Sequence, residues 1–168
     1  MGILQILQRR RARKLFQGYL SPEEIRKLLR ETKSGIKPPE VKHFQFILIL
    51  LDDTKPQDAP VVISGVLGTL TQHHATITNN TPSLLIGLLG VPFAEGNSQE
   101  ARRNLVQALL QDHGDQIRIA HGECDGAFGM FGSNERYERS IYGAVIPGFT
   151  GILKKLIATE LGTAIEAF

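Results

Sequence analysis

Tryptophan is absent from the 168 residues, and cysteine occurs once, as Cys124. A lone cysteine closes no internal disulfide, which excludes a small disulfide-built scaffold and suits a reducing, cytoplasmic setting. Long apolar runs are also missing. The longest of note, Phe46 to Leu51, falls far short of the roughly 20 residues that a membrane span needs. No apolar signal core follows Met1, because Arg9, Arg10, Arg11, Arg13 and Lys14 interrupt it almost at once. Gly2 is followed by Ile6 where a myristoylation signal places Ser or Thr. Net charge is small, +2, but unevenly spread. Through Lys42 there are 11 Lys and Arg against 4 acids (+7), and after it 8 against 13 (−5). A basic arm of this kind can meet a membrane surface, though a solvated helix face is the favoured reading. No aromatic interleaving or binding module accompanies it, so nucleic acid is not an expected partner.

What is present is a 42% apolar content and 17 glycines, enough for an aliphatic core with many turns in one domain. Residues 1–40 read as a helical arm and linker, and 41–168 as the folded domain. Ser21-Pro22-Glu23-Glu24 carries an N-cap, a first-position proline and a capping-box acid, and Ile25, Leu28 and Leu29 give that helix an apolar face. Phe44 to Leu51 predicts a central strand buried on both faces. Pro60 to His74 carries a helical stripe of Val62, Ile63, Val66, Leu67 and Leu70. Two strands, 75–79 and 83–90, follow. Asn97 with Glu100 predicts the start of a helix lined by Leu105, Val106, Leu109 and Leu110. Gln116 to His121 reads as a strand leading into a hairpin punctuated by Gly122, Gly126, Gly129 and Gly132. A last helix from Ile146 to Ile157 and a closing strand from Thr163 complete an α+β domain, an open mixed or antiparallel sheet with helices on one face.

Several segments in this order resemble class III nucleotidyl cyclase catalytic domains. Phe16 to Leu29, FQGYLSPEEIRKLL, is similar to the stretch ahead of many bacterial members. FILILLDD, Phe46 to Asp53, resembles their first strand, which ends in a metal-binding Asp. His73 to Pro92 resembles their hairpin, and Gly129-Met130-Phe131-Gly132-Ser133 with Gly143 their glycine-rich region. The resemblance implies a ferredoxin-like fold, head-to-tail homodimers, and two metal ions held by two carboxylates for cyclising a nucleoside triphosphate.

Position by position, the resemblance keeps little of that chemistry. Asp52 stands at the first metal position, but the second falls at Ser83, whose neutral hydroxyl replaces a carboxylate poorly. The base-selecting Lys falls at Asn79 and the base-reading Asp at Ala144. The transition-state Asn and Arg fall at Pro147 and Gly151, and Lys55-Pro56-Gln57 replaces the phosphate-cradling turn. The expectation is therefore a non-catalytic, cytoplasmic relative in signalling, without a cofactor, dimerising with itself and regulating an unidentified protein partner. The alternative is an enzyme or ligand-binding protein with rebuilt chemistry in the remnant cleft, drawing on Asp52, Asp53, Ser83, His121 or Asp125. His121, Glu123, Cys124 and Asp125 read as a polar cluster at a strand end, more simply a hydrogen-bonded turn than a nucleophile site. His73-His74 lacks a third ligand of suitable spacing. Gly65 to Thr69 lacks the lysine of a phosphate loop and lies in an apolar helical stripe.

Overall fold

The computed structural model describes residues 40–51, 57–81, 83–92, 94, 96–132, 137–142 and 145–167. Residues 1–39 of the expected N-terminal arm lie outside them, while Glu40 and Val41, at the expected boundary, are the first two residues of the first strand. In chain order the elements are β1 (Glu40–Leu51), α1 (Ala59–Gln72), β2 (Thr76–Asn80), β3 (Leu84–Leu89), α2 (Gln99–His113), β4 (Ile117–Gly132), β5 (Tyr137–Tyr142), α3 (Val145–Ile157) and β6 (Ala164–Glu166). The strands form one sheet in the order β2-β3-β1-β4-β5, with β6 also paired to β4. All pairings are antiparallel except the parallel β4–β6 contact.

β1 is central because its sequence has no polar face to offer water over its middle. Residues 44–49 are all buried. Alternate side chains enter two separate cores, since successive residues of a strand point to opposite faces. Ile47, Ile49 and Leu51 pack with Val62, Val66 and Leu70 of α1 and with Leu105, Val106 and Leu109 of α2. Phe44, Phe46 and Leu48 pack with Phe149, Ile152 and Leu156 of α3. The α+β class and the open sheet are as expected, with one refinement. Two helices cover one face, and the third covers the other, because β1 has an apolar row on each side, aliphatic toward α1 and α2 and mostly aromatic toward α3.

Two local expectations also change. The helix cap at α2 is Ser98, whose hydroxyl accepts from the Ala101 amide at 3.1 Å. Asn97 instead donates from Nδ2 to the His43 carbonyl at 3.0 Å, tying the α2 entry to β1. Gly90 makes that approach feasible: its φ is +88°, and a Cβ there would stand 2.5 Å from Asn97 Cγ. The glycine-punctuated segment is no hairpin at Gly122 or Gly126. β4 runs 16 residues through both, held by an unbroken register against β1 from Ile117↔Leu51 to Phe128↔Glu40. Gly122 lies opposite Phe46, whose ring meets Phe149 at a centroid distance of 5.0 Å.

Candidate functional site

Asp52 and Asp53 lie outside the described residues, as do Ala144 and the side chains of Asn79 and Pro147. The strand that delivers Asp52 is nevertheless fixed. The amide of Leu51, one residue earlier, donates to the Ser83 carbonyl at 3.0 Å. Ser83 itself is exposed at the start of β3. Gly151 sits on α3, exposed, with open space where a side chain would begin. Among the described residues, no group of three or more His, Cys, Asp or Glu could hold a metal ion. His73 closes α1, and the next residue, His74, turns the chain at φ +58° before β2.

The remaining candidates do not join this end of the sheet. His121 pairs with Ile47, four residues along β4 from the Ile117↔Leu51 step, or about 13 Å at strand rise. Asp125 pairs with His43, about 26 Å along. The structure therefore separates His121 and Asp125 from the Leu51–Ser83 corner. Nor do they form a cluster at a strand end: all lie within β4 and alternate between its faces. His121, Glu123 and Asp125 share the α2 side. Cys124 lies on the opposite face, packed against the aromatic cluster that contains Phe44 and Phe46. A Cys–His nucleophile pair is thereby ruled out for these two residues, which project from opposite sides of one strand. Burial, reinforced by Asp125, pushes the Cys124 thiol up to about 12, far from a reactive thiolate.

On the α2 side a polar network replaces the expected turn. Arg102 of α2 is 1% exposed and is the largest fully buried side chain among the described residues. Its Nη1 donates to Gln45 Oε1 at 2.7 Å, and its Nη2 to Glu166 Oε1 at 2.5 Å. Gln45 Nε2 donates in turn to Glu123 Oε2 at 3.1 Å, and His43 Nδ1 lies 3.0 Å from Asp125 Oδ1. The hydrogen bond from Gln45 is the main reason that the Glu123 carboxyl lies below its usual range, with His43 and Arg102 adding to it. The network thus ties α2, β1, β4 and β6 together.

A sequence signal for Arg102 does exist. It occupies the helical stripe of Leu105, Val106 and Leu109, a polar residue at a core position, and Gln45 alternates with Ile47 and Ile49 in the same way. Two polar residues in core rows must find partners, and these two find each other.

His121 lies beside this network with Nδ1 buried and unpartnered among the described residues. Burial lowers its pKa from 6.5, as does the adjacent Arg102, while Glu166 opposes them. A histidine held neutral in the fold stabilises it fully above the unfolded value, and that contribution drains away as pH falls through the folded value. Denaturation midpoints of the wild type should therefore decline as pH drops below about 6.5. His121→Phe should flatten that decline. Equal slopes for both proteins would show that His121 is not its source.

No family sequence model matches the chain, and no curated protein matches it by sequence. Solved structures do match. One is the guanylate cyclase domain of RhGC from Catenaria anguillulae in complex with GTP, at TM-score 0.59 and 9% identity over 76% of this chain and 79% of that one. Another is the adenylyl cyclase CyaB from P. aeruginosa, at TM-score 0.52 and 13% identity, covering 77% and 79% respectively. A third is the non-canonical dimeric guanylyl cyclase domain of the RhoGC fusion protein from the aquatic fungus Blastocladiella emersonii, at TM-score 0.58 and 9% identity, covering 76% and 80%. The chain has the fold of class III adenylyl and guanylyl cyclase catalytic domains.

Proposed function

We propose that this cyclase-fold domain does not cyclise nucleotides and serves as a dimerising regulatory or scaffolding module. The observation that carries the reading is the corner where β1 ends. The Leu51 amide donates to the Ser83 carbonyl, which brings Ser83 beside the exit of β1; the resemblance puts the second metal carboxylate at that position, and serine has none. Two divalent ions bridging a triphosphate need anionic ligands to offset their charge and hold them near one another. Asp52 with Ser83 does not fit that pair. Gly151, at the position of the transition-state arginine, has no side chain to meet developing phosphate charge.

Incubation of the full chain with ATP or GTP and manganese should yield no cyclic nucleotide above a no-protein blank. Turnover that disappears in Asp52→Ala would overturn the reading. The fold is compatible with a dimer: the Blastocladiella emersonii domain has been crystallised both as a non-canonical dimer and as a monomer. Sedimentation should find a dimer at tens of micromolar, where obligate pairs persist. A monomer at that concentration would remove the association half of the reading.

No helix among the described residues is long and apolar enough to cross a membrane. A regulatory domain of this kind fits a cytoplasmic setting.

A further inference from the structure

Two buried side-chain atoms on the α2 side of the sheet have no hydrogen-bond partner among the described residues: Nε of Arg102 and Nδ1 of His121. The fold makes their side chains neighbours. His121 and Glu166 stand side by side in the parallel β4–β6 register, and Arg102 Nη2 donates to Glu166 Oε1. The Arg102 charge accordingly bears on the ring. The two atoms are also complementary. An arginine Nε–H only donates, whereas a neutral imidazole carries its proton on one nitrogen and accepts at the other. A buried donor and a buried acceptor that meet no partner, beside a carboxylate, form the polar surroundings that an internal water occupies.

We propose that one buried water accepts from Arg102 Nε and donates to His121 Nδ1, and that this link latches β6 against β4 only while the ring is neutral. The ring is then the Nε2–H tautomer, with its outer side on the open surface beside Arg103 and Gln107, where bulk water accepts. The same residue holds β6 through its backbone, since the Ala167 amide donates to the His121 carbonyl at 2.8 Å. Water, ring and guanidinium thus join the three-residue β6 to α2 and β4 as one polar unit.

Protonation at Nδ1 removes the acceptor and adds a cation to a crowded place. On α2 the ring faces Arg102 and Arg103, on β6 Glu166, and along its own strand Glu123; β1 contributes Ile47 and Gln45, both uncharged. Detaching β6 opens a flank of the ring to water, so the protonated ring favours the detached strand. Burial first, and then the Arg102 charge, hold the ring below its ordinary value of 6.5. The latch is therefore complete above that value and is lost as pH falls through the folded one. No residue of the Leu51–Ser83 corner takes part, so the latch works whether or not the fold retains cyclase chemistry.

The test follows the full chain by NMR from about pH 7.5 to about 5.5, the range over which histidines titrate. Long-range nitrogen–proton correlations of the His121 ring should show the Nε2–H tautomer at the upper end. Exchange of the Ala167 amide, corrected for the intrinsic pH dependence of exchange, should accelerate at least about threefold toward the lower end. His121→Asn, whose side-chain oxygen stands near the Nδ1 position and does not titrate, should keep the protection and lose its pH dependence. A high-resolution crystal structure of the full chain should place an ordered water within about 3 Å of both atoms. Four results would overturn the proposal. An Nδ1–H tautomer would mean that the ring donates to Glu166 instead of accepting from water. Flat exchange at Ala167 while the global denaturation midpoint still falls would locate the effect outside β6. A pH dependence that persists in His121→Asn would assign it to another group. Direct contact between the two nitrogens, with no water, would remove the link itself.

Discussion

Phe46→Ala should destabilise the domain by about 4 kcal/mol, as full removal of a buried aromatic ring typically does. Phe46 is fully buried on the α3 side of β1, and its ring packs tilted against Phe149. The residues around it belong to three strands and a helix: Leu48, Leu88 and Ala120, with Ile152 and Leu156. Such neighbours cannot all move in to fill a lost ring, so a cavity term adds to the lost transfer energy. The consequence extends to the candidate site, because packing on Phe46 is what seats α3, the helix carrying Gly151. Urea denaturation should show a lowered midpoint with the slope unchanged, since the surface exposed on unfolding is nearly the same. A loss below about 1.5 kcal/mol would mean that α3 does not close that face of the sheet.

Arg102→Met should remove about 3 kcal/mol, the second largest effect. Methionine keeps the stem and fills much of the space, so the loss isolates the guanidinium. Without it, Gln45 Oε1 remains buried with no donor, and a stranded buried acceptor is penalised more than a missing surface bond. Glu166 is more than half exposed and can return to water, which keeps the figure below that for stripping a partner from a fully buried ion pair. The variant should also loosen β6. That strand has only three residues, held by the ladder from Ile119↔Ala164 to His121↔Glu166, by the Ala167 amide on the His121 carbonyl, and by Arg102. Hydrogen exchange should accelerate at Ala167 in Arg102→Met and only partly in Arg102→Lys, which retains charge but not the fork. Unchanged protection in the methionine variant would show that Arg102 does not clamp β6.

Much of this architecture was legible because local chemistry and tertiary structure agree. An apolar run that contains β-branched residues and is too short for a typical helix reads as a strand buried on both faces, and β1 is one. The stripe of Val62, Val66 and Leu70 gave α1 for the same reason. Reading failed where a residue's role depends on a distant partner. Gly122 and Gly126 signal a turn in isolation, yet β1 and its aromatic row supply the pairing that carries β4 through them. Asn97 looks like a cap from its own neighbours, but the His43 carbonyl, 54 residues away, claims its side chain. His121, Cys124 and Asp125 look like one cluster in a linear string. Strand alternation then sends Cys124 to the other face, and register carries Asp125 to the far end of β1. The network around Arg102 was visible only as polar residues in apolar rows. The reading of Ser83 as the second metal position rests on the resemblance alone, since nothing in a lone serine advertises an absent carboxylate.

The most direct test asks how many cations the β1 exit can hold. On the proposed reading, in which the Ser83 hydroxyl stands at the second metal position, crystals of the full chain soaked with manganese and a non-hydrolysable GTP analogue should show no pair of ions between residues 52 and 83. Two ordered ions there, about 4 Å apart and bridging the triphosphate, would contradict the account and restore the domain to the working cyclases.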